Sequence, residues 1–173
     1  YTALPFLIKE YCFSYGYSSQ LLFREDETVF KGSVYTFAPK YKRENKIYGK
    51  LELDSLNKTK KEIEGIMNLF EGTEYNENNA LKDSFLHLAQ SGNVLHLAGH
   101  AHNPEKESDF SFFAFSDNSD KTDDHLLYAF EIENMPIESP MIVLSACNTG
   151  SGEIYNGEGV LSLSGSFLKA GAS

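Results

Sequence analysis

The chain has 173 residues, 41% of them hydrophobic and 23% charged, proportions that predict one globular domain with a buried core and exclude a disordered or fibrous chain. Its 25 acidic residues outnumber the 15 basic ones, so a phosphate backbone would be repelled and no nucleic-acid partner is expected. The sequence has no apolar run of 18 residues, so no membrane partner is expected. It shows no signal peptide and only two cysteines, which predicts a reduced, cytoplasmic protein.

The first half of the chain predicts two strands and three helices. Aromatic and β-forming residues at 8–15 and 33–38 indicate strands, with a short helix at 20–23 between them and a polar loop from Pro39 to about residue 54. The groups of basic residues at 40–43 and 58–61 are interpreted as a solvated loop and an exposed helix face. Two helices with one apolar face each are then predicted. The first begins at Asp54 or Ser55, ends at Gly72 and has on its apolar face Ile63, Ile66, Met67 and Phe70. The second is capped by Asn79, ends at Gly92 and has on its apolar face Leu81, Phe85 and Leu88.

In the second half, unbroken apolar runs at 94–98 and 141–146 indicate strands buried on both faces. Residues 110–115 predict another strand, 117–124 a charged loop, and 160–168 a last helix closed by Gly171. This alternation of strands and helices predicts an α/β fold, a mostly parallel sheet flanked by helices on both faces. In such sheets the functional crevice lies beyond the carboxyl ends of the strands.

Two reactive side chains stand directly beyond the buried strands. Cys147 ends one apolar run and begins a glycine-containing turn, and His100, which precedes it by 47 residues, ends the other. A thiol is readily activated by a neighbouring imidazole, and backbone N–H groups at such turns can face an oxyanion. A lone cysteine at a strand end is more often a small buried residue, but both groups at strand ends beside glycines give a catalytic pair about the same weight as that alternative.

The other histidines have weaker functional interpretations. His96 lies within the apolar run and shares a sheet face with Ala98 and His100, so a structural hydrogen bond is expected for it. His102 is expected to face solvent. These histidines with Cys147 match no standard zinc spacing, so neither a metal nor a cofactor is expected.

Two segments resemble the CHAT domain family, relatives of caspases, separases and gingipains. Residues 94–101, V-L-H-L-A-G-H-A, are similar to the family's H-x-A-x-H-G segment, and residues 143–150, V-L-S-A-C-N-T-G, are similar to its V-L-S-A-C-x-T-G segment. The G-E-G at 157–159 and the A-G-A at 170–172 resemble the ends of the helix that follows, and weaker similarity extends to residues 4–15 and 36–39. The resemblance thus spans nearly the whole chain.

The resemblance implies a caspase-like fold and a cysteine peptidase that cleaves protein or peptide substrates. It assigns His100 and Cys147 to a catalytic dyad, the backbone N–H groups of Ala101 and Cys147 to the oxyanion hole, and Ser145 to the substrate pocket. The family has glycine where this chain has Ala101, and a positive φ there would cost an alanine about 1 kcal/mol or more. Residues 1–173 are expected to be a single CHAT domain core, a fragment lacking N- and C-terminal parts.

Further expectations and alternatives stay open. An activating protein partner or fused helical repeats are expected from the family, and the acidic Glu153 and Glu158 favour substrates with Lys or Arg before the scissile bond. A catalytically silent interaction or signalling module with the peptidase fold is the alternative to a peptidase. A nucleotide-binding α/β domain is disfavoured because no Lys-Ser or Lys-Thr follows the glycines at 150–159.

Overall fold

The structure, a computed structural model, describes residues 32–41, 47–48, 51–52, 56, 58–102, 110–117, 124–146 and 158–172. The strands in this part of the chain are β1 (Val34–Pro39), β2 (Ile47–Tyr48), β3 (Leu51–Glu52), β4 (Gly72–Glu77), β5 (Val94–Ala98), β6 (Ala101–His102), β7 (Phe112–Ala114), β8 (Leu126–Tyr128) and β9 (Met141–Ser145). The helices are α1 (Thr59–Met67), α2 (Lys82–Leu88), α3 (Ala129–Glu133) and α4 (Glu158–Ala170). The elements predicted at 8–15 and 20–23 lie outside the described residues.

A parallel sheet in the order β4–β1–β5–β9 forms the centre of the fold. All three neighbouring pairs run parallel, and β5 and β9, the two apolar runs of the sequence, lie side by side. The expected burial on both faces holds for most of β5, whereas β9, the outermost strand of the sheet among the described residues, is half-buried and its Met141 is 51% exposed. The predicted α/β class with a mostly parallel sheet is confirmed.

Helices cover both faces of this sheet, as predicted. Phe37 of β1 and Leu97 of β5 point to one face, where they join a core with α2 and α4. There the ring of Phe85 from α2 lies 5.9 Å from that of Phe37 and 6.1 Å from that of Phe167 on α4. On the opposite face His96 of β5 contacts α1. Burying side chains of this size supplies about 1.5–3 kcal/mol each, the main gain that holds the layers together.

A second, antiparallel sheet begins where the first one ends. Only Gly99 and His100 separate β5 from β6, which pairs with β7, and β7 pairs in turn with β8. The fully buried Phe113 on β7 belongs to the same core as Leu97. The chain therefore passes from the parallel to the antiparallel sheet at His100.

The structure adds an edge strand that the sequence did not predict. β4 pairs with β1 along its whole length, from Val34 opposite Gly72 to Pro39 opposite Glu77. Its sequence, G-T-E-Y-N-E, is polar and most of its side chains are exposed, which fits its place as the outermost strand of the sheet among the described residues. Tyr75 packs this strand against the core, because its ring stacks on that of Phe37 with the ring centroids 4.9 Å apart.

Several predicted boundaries were wrong. The helix that was predicted to continue from Asp54 or Ser55 to Gly72 is α1, Thr59–Met67, because the chain must turn before Gly72 starts β4. Leu81, not Asn79, is the N-cap of α2. Short strands β2 and β3 lie in the predicted polar loop, and neither β8 nor α3 was predicted. The strands predicted at 33–38 and 110–115 and the last helix, with Gly171 at a φ of 116°, are confirmed.

Candidate functional site

His100 lies at the carboxyl end of β5, at the junction of the two sheets. The residue before it must be glycine, because a Cβ on Gly99 would lie 2.7 Å from Cζ of Phe113 and 2.8 Å from Oη of Tyr41. Such contacts are shorter than side-chain atoms tolerate, so the chain can approach Phe113 and Tyr41 only without a side chain. The glycine of the histidine motif therefore serves close packing.

Both backbone polar groups of His100 are bonded. Its carbonyl accepts the N–H of Ala114 at 2.9 Å, and its own N–H donates to Oη of Tyr41 at 3.0 Å. The Tyr41 hydroxyl donates in turn to the carbonyl of Ala114 at 2.9 Å. The rings of Tyr41 and His100 lie 5.0 Å apart at 52°. His100 is therefore fixed to the neighbouring strand both directly and through a tyrosine.

Tyr41 was missed by the sequence analysis, which placed residues 40–43 in a solvated loop. The flanking lysine and arginine residues suggested exposure, yet Tyr41 is only 6% exposed and joins a small core of Phe112, Ala114 and Leu126. Burial raises the pKa of its hydroxyl well above the ordinary value, although the hydrogen bond from His100 opposes this shift. The feature that could have indicated a role for Tyr41 was its position, two residues beyond the end of β1 at the carboxyl edge of the sheet.

Ala101 occupies an ordinary strand position in β6, opposite Phe113. Among the described residues other than glycine, Glu77 is the one with a positive φ, so the strain considered for an alanine at this position does not arise. Since His100 lies opposite Ala114 and bonds to it, the next pair, Ala101 and Phe113, is of the non-hydrogen-bonded type. The N–H of Ala101 thus points away from β7.

Ser145 lies at the carboxyl end of β9, half-buried and paired with Ala98 of β5. The site residues Ser145 and His100 are therefore brought to the same edge of neighbouring parallel strands. Cys147, predicted as the nucleophile and as an oxyanion-hole residue, lies outside the described residues, as do Glu153 and the side chain of Glu158. In the sequence Cys147 is separated from Ser145 by Ala146, just as His100 is separated from Ala98 by Gly99.

His96 and His102, the two other histidines considered in the sequence, both pack against neighbouring elements. His96 is buried and makes the expected hydrogen bond, its Nε2 lying 3.0 Å from Oε1 of Glu62 on α1. Burial lowers the pKa of His96, and the charge of Glu62 offsets part of this shift. His102 was expected to face solvent; it is half-buried, with its ring 5.4 Å from that of Phe112, and burial lowers its pKa.

The described residues provide neither a metal site nor a membrane helix. No group of three His, Cys, Asp or Glu residues is placed to hold a metal ion in this part of the chain. Among its helices, none has the length and apolar character needed to cross a bilayer.

Comparison with known proteins identifies the family of the chain. No curated protein matches it. The family model of the CHAT domain matches residues 2–173, a span that contains the parallel sheet, the histidine motif and Ser145. With this match over nearly its whole length, the chain belongs to the CHAT domain family, whose fold is that of the caspase-like peptidases.

Proposed function

We propose that the chain is a cysteine endopeptidase domain that cleaves protein or peptide substrates through a dyad of His100 and Cys147. The register of β5 and β9 is the observation that carries the proposal. Ala98 pairs with Ser145, an offset of 47 residues, and His100 and Cys147 are separated along the chain by the same 47 residues. His100 therefore follows Ala98 by two residues, and Cys147 follows Ser145 by two residues. Ala98 and Ser145 are paired on adjacent strands, and such strands lie about 4.8 Å apart.

In the proposed reaction the imidazole of His100 takes the proton of the Cys147 thiol, and the thiolate attacks the carbonyl carbon of the peptide bond. The tetrahedral intermediate collapses when the C–N bond breaks, and the leaving amine takes the proton from His100. The resulting thioester is hydrolysed by a water molecule that His100 deprotonates. The oxygen of that water adds to the thioester carbonyl carbon, the C–S bond breaks, and the sulfur takes back the proton from His100, which leaves the new carboxyl group and the free thiol.

The backbone N–H groups of Ala101 and Cys147 are the proposed donors to the oxyanion. The direction of the Ala101 N–H, away from β7, supports this role because the group is not directed into the antiparallel sheet. Ala101 does not have a positive φ, so the strain that such a φ would impose on an alanine is absent from the proposed oxyanion hole.

Ser145 is the proposed contact for the substrate side chain before the scissile bond. Its half-buried position beside Ala98 puts a small, neutral hydroxyl at the carboxyl edge of the sheet. Such a residue selects neither charge by itself. The net charge of −10 supports a preference for Lys or Arg through its general attraction for cations.

The proposal is tested with the whole protein that carries this chain, incubated with a peptide library while cleavage is followed by mass spectrometry. We expect Cys147→Ala and His100→Ala each to lower cleavage at least about 1,000-fold, with similar losses because the two groups act as a unit. Iodoacetamide should alkylate Cys147 faster than Cys12, and His100→Ala should slow that alkylation. The residue that precedes each cleaved bond shows which substrate side chains the pocket at Ser145 prefers.

Cys12→Ala is the matched control, since it removes the other cysteine and should leave cleavage unchanged. Undiminished cleavage by Cys147→Ala would exclude Cys147 from the mechanism. If no library peptide is cleaved and Cys147 reacts no faster than Cys12, the domain is the non-catalytic interaction module instead.

A further inference from the structure

The Tyr41 hydroxyl interrupts an otherwise regular pairing between two strands. His100 lies opposite Ala114 in the register that continues from Ala101–Phe113. In an antiparallel pair of this type the two residues exchange both N–H···O bonds. Here one is direct, from the Ala114 N–H to the His100 carbonyl at 2.9 Å. The other is replaced by a bridge in which Oη of Tyr41 accepts from His100 and donates to Ala114.

This bridge has a geometric consequence for His100. A direct hydrogen bond would hold the His100 nitrogen and the Ala114 oxygen about 2.9 Å apart. Instead, the hydroxyl oxygen of Tyr41 lies between them, 3.0 Å from the His100 nitrogen and 2.9 Å from the Ala114 oxygen. The N–H side of His100 is thereby held away from β7, while its carbonyl side stays attached. The orientation of the residue thus depends on a side chain from the end of β1.

We propose that Tyr41 is a positioning residue of the candidate site, which sets the orientation of His100, the general base of the proposed dyad. The inference rests on the proposed dyad and adds to it a group that acts through His100 and does not itself touch the substrate. The contact is double, because the hydroxyl holds the backbone of His100 while the ring lies 5.0 Å from the imidazole.

The surroundings suit this role. Tyr41 is buried, and because a tyrosine hydroxyl is protonated at physiological pH and burial raises its pKa further, the proton needed for the bond to Ala114 is retained. Gly99 leaves the space that the hydroxyl occupies, since a Cβ there would approach Oη to 2.8 Å. Tyr41 and His100 each follow the last residue of their strands, Pro39 and Ala98, by two positions. Neighbouring strands thus deliver both residues to one edge of the sheet.

The test is Tyr41→Phe in the whole protein, which keeps the ring and removes only the hydroxyl. Small misplacements of a catalytic group cost up to about 100-fold, so we expect kcat to fall roughly 10- to 100-fold with KM changed less than about twofold. Iodoacetamide alkylation of Cys147 should slow as well, and hydrogen exchange at the His100 amide should become faster. The last readout is independent of cleavage.

Ser139→Ala is the matched control for a lost buried hydroxyl. Ser139 is 1% exposed and its hydroxyl donates to the Asn93 carbonyl, at the amino ends of the same strands β5 and β9. This variant should lower the melting temperature and leave kcat unchanged. A Tyr41→Phe protein with wild-type kcat, while Cys147→Ala is inactive, would refute the positioning role and leave the peptidase intact. A kcat loss shared by Ser139→Ala would make the effect one of stability, and cleavage by Cys147→Ala would refute both proposals.

Discussion

At the scale of single residues, Ala101 shows how the structure changes the meaning of a departure from the family motif. The family's glycine suggested a need for positive φ, but Ala101 sits in a regular strand opposite Phe113. Its side chain also packs against the main core, which a glycine could not do. The alanine is therefore compatible with the backbone conformation that the site requires.

Ala101→Gly should accordingly bring no gain in activity. Glycine in a strand costs roughly 0.5–1 kcal/mol relative to alanine, so the free energy of unfolding should fall by that amount. We expect kcat/KM to stay within about twofold of the wild type, measured on a peptide that the wild-type protein cleaves. A tenfold rise would show that the methyl group obstructs the cleft.

The sequence identified part of this site and not the rest. His100 was predicted as a site residue because it directly follows an unbroken apolar run, a pattern typical of strands in parallel sheets, and Ser145 was assigned through the resemblance to the family. Tyr41 could not be found in this way, since its burial depends on Phe112 and Leu126, which are distant in sequence. Propensity and local charge cannot report such a tertiary contact.

At the scale of elements, long periodic or apolar segments were predicted and short polar ones were not. The strands β5 and β9 carry enough apolar residues to be recognised alone, whereas β4 becomes a strand only by pairing with β1. The same pairing ends α1 early. Phe70, which continues the apolar face of that helix in the sequence, lies beyond its last residue and is 55% exposed.

A comparison of two phenylalanine substitutions tests this assignment of buried and exposed positions. Phe85 is fully buried between Phe37, Phe115 and Phe167, so Phe85→Ala should lower the free energy of unfolding by about 3–5 kcal/mol. Phe70→Ala removes the same side chain from an exposed turn and should change it by about 0.5 kcal/mol or less. Urea unfolding measures both. Equal losses would mean that Phe70 belongs to the core after all.

At the scale of the whole molecule, the site lies where the parallel and antiparallel sheets meet. The parallel sheet delivers His100 and Ser145 to one edge, and the antiparallel sheet begins immediately after His100 and holds its backbone. On the opposite face from the aromatic core, α1 is tied to β5 by the pair of His96 and Glu62. The position of His100 therefore depends on the assembly of both sheets, which the sequence could indicate only for the parallel one.

The buried His96 gives the whole fold a predictable dependence on pH. Burial lowers its pKa below the ordinary 6.5, so in the native state it binds fewer protons than in the unfolded chain, and His102 acts in the same direction. Stability falls wherever lowering the pH adds more protons to the unfolded state than to the native state, so this contribution should be fully present above about pH 6.5 and be lost as the pH falls toward the lower pKa of the native state. One histidine contributes a slope of at most about 1.4 kcal/mol per pH unit.

His96→Gln, which can still donate to Glu62 but does not titrate, should make the decline shallower in urea unfolding between pH 7 and 5. His87→Gln, on the exposed side of α2, is the control and should keep the wild-type slope. If His96→Gln declines as steeply as the wild type, protonation of His96 does not limit the stability of the fold in acid.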